Sequence, residues 1–290
     1  MSRWGVKPGA VMNGGISTDE IMQTALDLAG TSVVPGDSAI YVPGSGLRRV
    51  MVGIDVGTAE LLLARQLGAD GAIAHHPAGG SAVLDFPKVL VRGVELMVEA
   101  GVPEEIARQT IQPAIARAML RAQAANHDHV PSVARLLGLP FLNVHLPLDE
   151  YGRRVMDETI QRHLDGLGRE PLVGDVVAAL RTIPEIRDAP TRVMVPVGRL
   201  DGSAGWVVVY HGAGTNGGFA VAQTLFAYGI GTVVYIHLAP EEAERLRALP
   251  APSGNVVVSG HIASDLIGVN RLVKALEERG VEVIRMSGVV

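Results

Sequence analysis

Six of the nine histidines stand where an apolar, β-rich run ends. His75 and His76 close GAIAHH, His145 follows FLNV, His211 follows WVVVY, His237 follows TVVYI, and His261 follows NVVVSG. Chance placement would scatter histidines over helices and loops as well. In open α/β sheets, ligands bind beyond the carboxyl ends of the strands. Imidazoles gathered there can bind a divalent metal, move protons or hydrogen-bond. Two carboxylates keep the same company: Asp149 lies four residues after His145 in HLPLD, and Asp265 four after His261 in GHIASD.

Each motif admits more than one reading. Neighbouring residues of a strand point to opposite faces, so His75 and His76 can share a site only if the chain turns at Pro77 and Gly79-Gly80. Otherwise they serve two ions, or merely hydrogen-bond in a loop. Pro147 disfavours a helix in HLPLD; the spacing predicts an extended or turn segment whose Asp149 bridges metals or caps a turn. In GHIASD, His261 and Asp265 share one face if the helix has begun; otherwise Ser264 or Asp265 caps it. HGAGTNGG (211–218) is either an anion cradle at a helix start or a tight strand-to-helix turn. His127 and His129 of NHDH reach the site or lie on a solvated helix end.

The elements that must position these groups alternate strand and helix, which implies a parallel sheet. Residues 18–29 read as an amphipathic helix capped by Ser17 or Thr18. Residues 37–46 read as a Pro/Gly-punctuated connection. Strand 48–55, helix 58–67 and strand 72–74 lead to His75, and strand 140–144 leads to His145. A second series has strands at 206–210, 232–236, 255–259 and 281–286, with helices at 219–228, 240–248 and 262–279. VMVGID–helix–AIAHH resembles VVVYHG–helix–VVYIH in order and spacing. The expected fold is therefore α/β: two pseudo-repeated lobes with mainly parallel strands, plus a helical insert. The 290 residues form one unit, with lobe one at about 38–150, the insert at about 88–137 and lobe two at about 190–290.

Composition narrows the chemistry. With no cysteine, disulfides, thiolate ligands and a cysteine nucleophile are excluded, so any metal is held by nitrogen and oxygen. A net charge of −5 without a basic, aromatic-laced stretch argues against nucleic acid. No apolar run nears the roughly 18 residues that span a bilayer, and residues 1–15 lack the apolar core of a signal peptide. The expectation is a soluble, cytoplasmic protein with no membrane partner. No G-x-S-x-G elbow is present, which removes that serine-hydrolase reading.

HHP after an apolar strand, then HLPLD, then GHIASD, with VMVGIDVGTAELLLARQLGADGAIAHH before them, resemble the GTP cyclohydrolase 1 type 2 homologues. These are also called Ngg-one-interacting-factor-three-like proteins. The resemblance covers about 48–76, 140–149 and 191–290. It implies a dinuclear site of two divalent ions (Zn, Mn, Fe, Co or Ni) held by His75, His76, Asp149, His261 and Asp265, with His145 beside them. The family usually has glutamate where Asp265 stands, so this shorter side chain binds through water or draws its helix closer. The family's early D-N-x-G-L-type segment is not recognisable in 37–46, and the stretch 88–137 is longer than its usual link. With Asp149 as a bridge, each ion has about three protein ligands and open positions. Two ions about 3.5–4 Å apart activate water and polarise a carbonyl or phosphoryl oxygen, with His145 or His237 moving protons. The resemblance thus implies a metal-dependent hydrolase of a small phosphorylated or heterocyclic molecule, nucleotide-like molecules included. The alternatives are a non-catalytic metal-containing binding or regulatory protein, or a metal-free module using the glycine loop. A ring-shaped homo-oligomer, often a hexamer, is also implied.

Overall fold

The computed structural model describes residues 14–212, 217–250 and 253–290. The chain runs α1 (Thr18–Ala29), β1 (Ala39–Val42), β2 (Arg49–Gly53), α2 (Thr58–Gln66), β3 (Gly71–Ala74), α3 (Gly80–Leu84), α4 (Phe86–Val89), α5 (Val91–Glu99), α6 (Glu104–Ala124), α7 (His129–Leu137) and β4 (Phe141–Asn143). It continues through α8 (Leu146–Asp165), α9 (Val173–Leu180), α10 (Pro184–Arg187), β5 (Met194–Val197), β6 (Trp206–Val209), α11 (Gly218–Ala227), β7 (Ile230–Tyr235), α12 (Pro240–Arg247), β8 (Asn255–Val258), α13 (His261–Glu277) and β9 (Glu282–Met286). Ser17 caps α1 in a reciprocal box with Glu20, as the sequence pattern requires.

The strands form two sheets, ordered β1-β4-β3-β2-β9 and β5-β8-β7-β6. In the first, β1 is antiparallel to β4, and β4, β3, β2 and β9 are mutually parallel. The second repeats that scheme, with β5 antiparallel to β8 and β8, β7 and β6 parallel. The pseudo-repeat is therefore a repeat of topology: β2-α2-β3…β4 corresponds to β6-α11-β7-α12-β8, each with an antiparallel edge strand.

Alternating side chains send each sheet's apolar residues to both faces. In the first sheet Val50, Val52, Ile54 and Ile73 face α1 and α13, while Met51, Ala72 and Ala74 face the side covered by α2 and α7. In the second, Val207, Val209, Val234 and Val257 meet α8, α9 and α13, and Val233 and Val256 meet the opposite layer of α5, α6, α11 and α12. The result is five layers, with α8 and α13 in the shared central one. No helix among the described residues is long and apolar enough to cross a membrane.

Four expectations are corrected. Residues 37–46 are not simply a connection, because Ala39–Val42 pairs with β4 as an edge strand. The final strand does not extend the second lobe: β9 pairs parallel with β2, and α13 crosses back to deliver it. The insert departs from the first lobe yet packs its apolar faces (Val94, Met97, Ala107, Ile111) on the second sheet's outer layer.

Finally, HLPLD is helical. Pro147 falls in the first turn of α8, where an N–H would have no helical partner in any case.

Candidate metal centre

Two equivalent helix starts build the centre. His145 caps α8 and Asp149 lies one turn on; His261 opens α13 and Asp265 lies one turn on. These H-x-x-x-D segments follow β4 and β8, the corresponding strands of the two sheets. A carboxylate in the first turn is favoured by the helix N-terminal dipole. Gly260, at φ +107°, turns the chain from β8 into α13 in a conformation that side chains rarely adopt.

Both His75 and His76 reach the centre, because the chain bends just beyond β3. Their backbone N–H groups still bond the carbonyls of Gly53 and Ile54. Their Nε2 atoms lie 3.8 and 3.5 Å from Oδ2 of Asp265. The His261 Nε2 is 3.3 Å from the same oxygen. Around Asp149 stand His75 (Nε2 to Oδ1, 3.2 Å), His145 (Nε2 to Oδ2, 3.6 Å) and His211 (Nε2 to Oδ1, 3.8 Å). Each carboxylate is thus ringed by three imidazoles, with His75 common to both. His237 is one ring further out, 4.8 Å from His261.

The far nitrogens of three imidazoles are already engaged. The His75 Nδ1 bonds the Val144 carbonyl at 2.9 Å, His76 Nδ1 the Asp55 carboxylate at 2.8 Å, and His145 Nδ1 the Asp37 carboxylate at 2.8 Å. These acceptors hold the proton on Nδ1 and leave a lone pair on Nε2. Those lone pairs then face carboxylate oxygens, acceptor against acceptor. Protonating every ring instead would crowd imidazoliums whose centroids are 4.9–5.6 Å apart. Among the described residues, the buried atoms without a hydrogen-bond partner include His75 Nε2, His211 Nε2, Asp149 Oδ1 and Asp265 Oδ2. Buried polar atoms are nearly always paired, and a cation would resolve all four. The donor set, imidazole and carboxylate, suits divalent transition metals, so this cluster could hold metal ions.

Without such an ion, protons take up part of the mismatch. Burial pushes the His145 imidazole down, but Asp149 and Asp37 outweigh it and raise its pKa to about 9. Burial also pushes the His76 imidazole down, but its hydrogen bonds to Asp265 and Asp55 outweigh that and raise its pKa. Asp149 is held low against burial by His145 and His211, and Asp265 by His76 and His75. Burial lowers His237 and His261, with Asp265 opposing at both.

The shorter Asp265 reaches the cluster because its helix sits close. A Cβ on Gly268 would lie 2.2 Å from the Leu148 carbonyl oxygen, and one on Gly152 would lie 3.2 Å from that of Ser264. Two glycines therefore let α8 and α13 touch through backbone just where each carries its aspartate.

His75, His76, His145, Asp149, His261 and Asp265 are thus brought together, with His237 at the rim. His127 and His129 are exposed and do not join them. Residues 213–216, the middle of the glycine-rich loop, lie outside the described residues. Sequence reasoning passed over His211 as a ligand candidate, although its strand-end position was a signal. It also passed over Asp37, Ser38 and Asp55, which orient His145 and His76; the hydroxyl of Ser38 accepts from the His145 N–H at 2.9 Å. Asp37 and Ser38 carried no local signal, because only β1–β4 pairing brings them to His145.

The chain is similar in sequence and fold to a NIF3 superfamily protein from Sphaerobacter thermophilus: 62% identity over 95% of this chain and 100% of that one, TM-score 0.92. It shares its fold with TTHA1606 from Thermus thermophilus (16% identity, 94% and 98% covered, TM-score 0.52) and with reduced HcgD from Methanocaldococcus jannaschii (11%, 93% and 98%, 0.52). No family model and no curated protein matches it. The strand-end motifs, the two-sheet topology and the identity over nearly the whole chain agree: this chain belongs to the NIF3 superfamily.

Proposed function

We propose that the chain is a dinuclear metal-dependent hydrolase of a small anionic molecule, phosphorylated or heterocyclic. One observation carries this reading: unpaired, buried nitrogen and oxygen atoms converge at the strand ends, beside a cavity. The ligands in this account are His75, His76, Asp149, His261 and Asp265, joined by His211. Asp265 Oδ2 is close to three imidazoles, so it would hold an ion as Asp149 would, the residue to which the sequence reading gave the bridging place. When bound, such ions supply Lewis acidity and a water nucleophile near neutral pH.

The residues around them divide the remaining work. His145, fixed through Nδ1 by Asp37, exchanges a proton at Nε2. His237, kept neutral at pH 7 by burial, accepts one at its ring. It also lines a cavity of about 630 Å³. Pro77 ties that cavity to His76, and Phe86, whose ring lies 6.3 Å from that of His145, forms an apolar wall with Leu90 and Leu238. Arg117 and Arg121, one turn apart on α6, supply positive charge to the same cavity and have no ion pair among the described residues. The insert thereby closes the substrate side, holding an anionic group at the arginines and an apolar or planar body against Phe86.

The test is turnover by protein reconstituted with Zn, Mn or Fe on phosphomonoesters, phosphodiesters, nucleotides and cyclic amides. The account expects activity on at least one class, lost in folded His76→Ala and Asp149→Ala variants. Activity that survives both substitutions, or none on any class, overturns it. The same reading places the chain in the cytoplasm as a homo-oligomer such as a hexamer. Leu120 and Leu136, 73% and 89% exposed, support a subunit contact; a sedimentation profile of monomer alone rejects that part.

A further inference from the structure

Two other buried polar atoms lack partners among the described residues, Asn270 Oδ1 and Arg271 Nη1. Both residues line a second cavity of about 420 Å³, walled by α8 and α13 and ended by the turn between α9 and α10. Arg162 from α8 and Lys274 from α13 line it too, against a single carboxylate, Glu185. Arg271 makes no ion pair among the described residues. A guanidinium N–H buried without an acceptor is costly, and such a group is ordinarily matched by an anion.

The amide beside it refines the ligand. Asn270 Nδ2 donates to Glu185 Oε1 at 3.3 Å, which fixes the orientation of the amide. Its Oδ1 is therefore an acceptor awaiting a donor. A fitting ligand brings a negative oxygen for Arg271 and an O–H for Asn270, and Thr159 adds a hydroxyl to the lining.

We propose that this cleft is a second binding site, separate from the metal centre, for a small hydroxyl-bearing oxyanion: phosphate itself, or a phosphate ester with a neighbouring hydroxyl. Arg271 lies six residues beyond Asp265 on α13, about 9 Å along the helix axis. The two helices that wall the cleft also carry Asp149 and Asp265 near their N-terminal ends, so the sites share a frame but no residue.

The experiment is titration calorimetry of the full metal-loaded chain with inorganic phosphate and with sulfate, which lacks the O–H at neutral pH. It is repeated on Arg271→Gln, on Lys274→Gln and on His75→Ala/His76→Ala, the last removing phosphate binding at the metal centre. The double histidine variant should keep one phosphate site, which wild type shares, and should bind sulfate there more weakly. Arg271→Gln should weaken phosphate about tenfold or more. If that variant does not fold, Lys274→Gln, altered at an exposed residue, should weaken it in the same direction. Phosphate binding lost in the histidine variant but kept in Arg271→Gln assigns the anion to the metal centre and overturns the proposal. So does the absence of phosphate binding in wild type. So does an Arg271→Gln chain whose only change is its sedimentation, which would give the cation to a partner subunit's carboxylate.

Discussion

Gly268→Ala tests the claim that backbone contact between α8 and α13 sets the reach of Asp265. A Cβ there would lie 2.2 Å from the Leu148 carbonyl oxygen, 2.7 Å from its carbon and 2.9 Å from its Cα. An ordinary C···O approach is about 3.3–3.6 Å, so the helices must part by roughly 1 Å. Neither can yield outward, since apolar residues of both sheets press on the central layer from either side. Overpacking of this kind costs about 1–3 kcal/mol, partly offset by the roughly 1 kcal/mol helix preference of alanine over glycine. Because the clash is with backbone atoms, the cost falls in the upper half of that range; the expected net loss is about 1–2 kcal/mol, a fall in Tm of several degrees at about 2–4 °C per kcal/mol. Asp265 lies one turn before Gly268, so it should recede and metal affinity fall by about tenfold or more. Calorimetric melting and competition with a chelator measure the two effects. Gly166→Ala, where a Cβ meets nothing nearer than 3.5 Å, is the control and should change neither. A Gly268→Ala chain that melts and retains metal like wild type would refute the reasoning.

Other consequences follow from the groups around the cluster. Asp37→Asn keeps the volume but weakens the hold on His145 Nδ1, and should lower metal affinity about 10–100-fold in chelator competition. In the metal-free chain His145 is raised to about 9, so its contribution to stability is full below about pH 6.5 and disappears as pH rises through 9; pH-dependent melting of His145→Ala should lack that decline. His211→Ala should release metal to a chelator faster than wild type, whereas His163→Ala, away from the cluster, should not. Arg117→Ala with Arg121→Ala should raise KM for an anionic substrate while metal content stays unchanged.

Much of the fold was legible because apolar periodicity marks a buried strand wherever the chain passes through a sheet. The strands at 206–210 and 255–259 and the helix from Thr18 to Ala29 were read close to their observed limits. Pairing was not legible. Nothing local distinguishes β9 from a strand of the second sheet. Nor does Ala39–Val42 announce itself, being four residues between Ser38 and Pro43. Pro147 misled through its general dislike of helices, which fails in a first turn. The histidines at strand ends were visible one by one, but the groups that orient them come from afar in sequence. Asp37 is 108 residues from His145, and Asp55 is 21 from His76. The correspondence of HLPLD and HIASD was in the sequence throughout, masked by the long helical insert that separates His76 from His145 in the first lobe alone.

The central claim is that the buried imidazoles and carboxylates exist to hold two divalent ions. Elemental analysis of the untagged protein, beside His75→Ala/His76→Ala, tests it most directly. The account predicts about two equivalents of metal per chain after reconstitution with Zn, Mn or Fe, and loss of both in the variant. Wild-type protein that takes up no stoichiometric metal, or a variant that keeps its full complement, would contradict it.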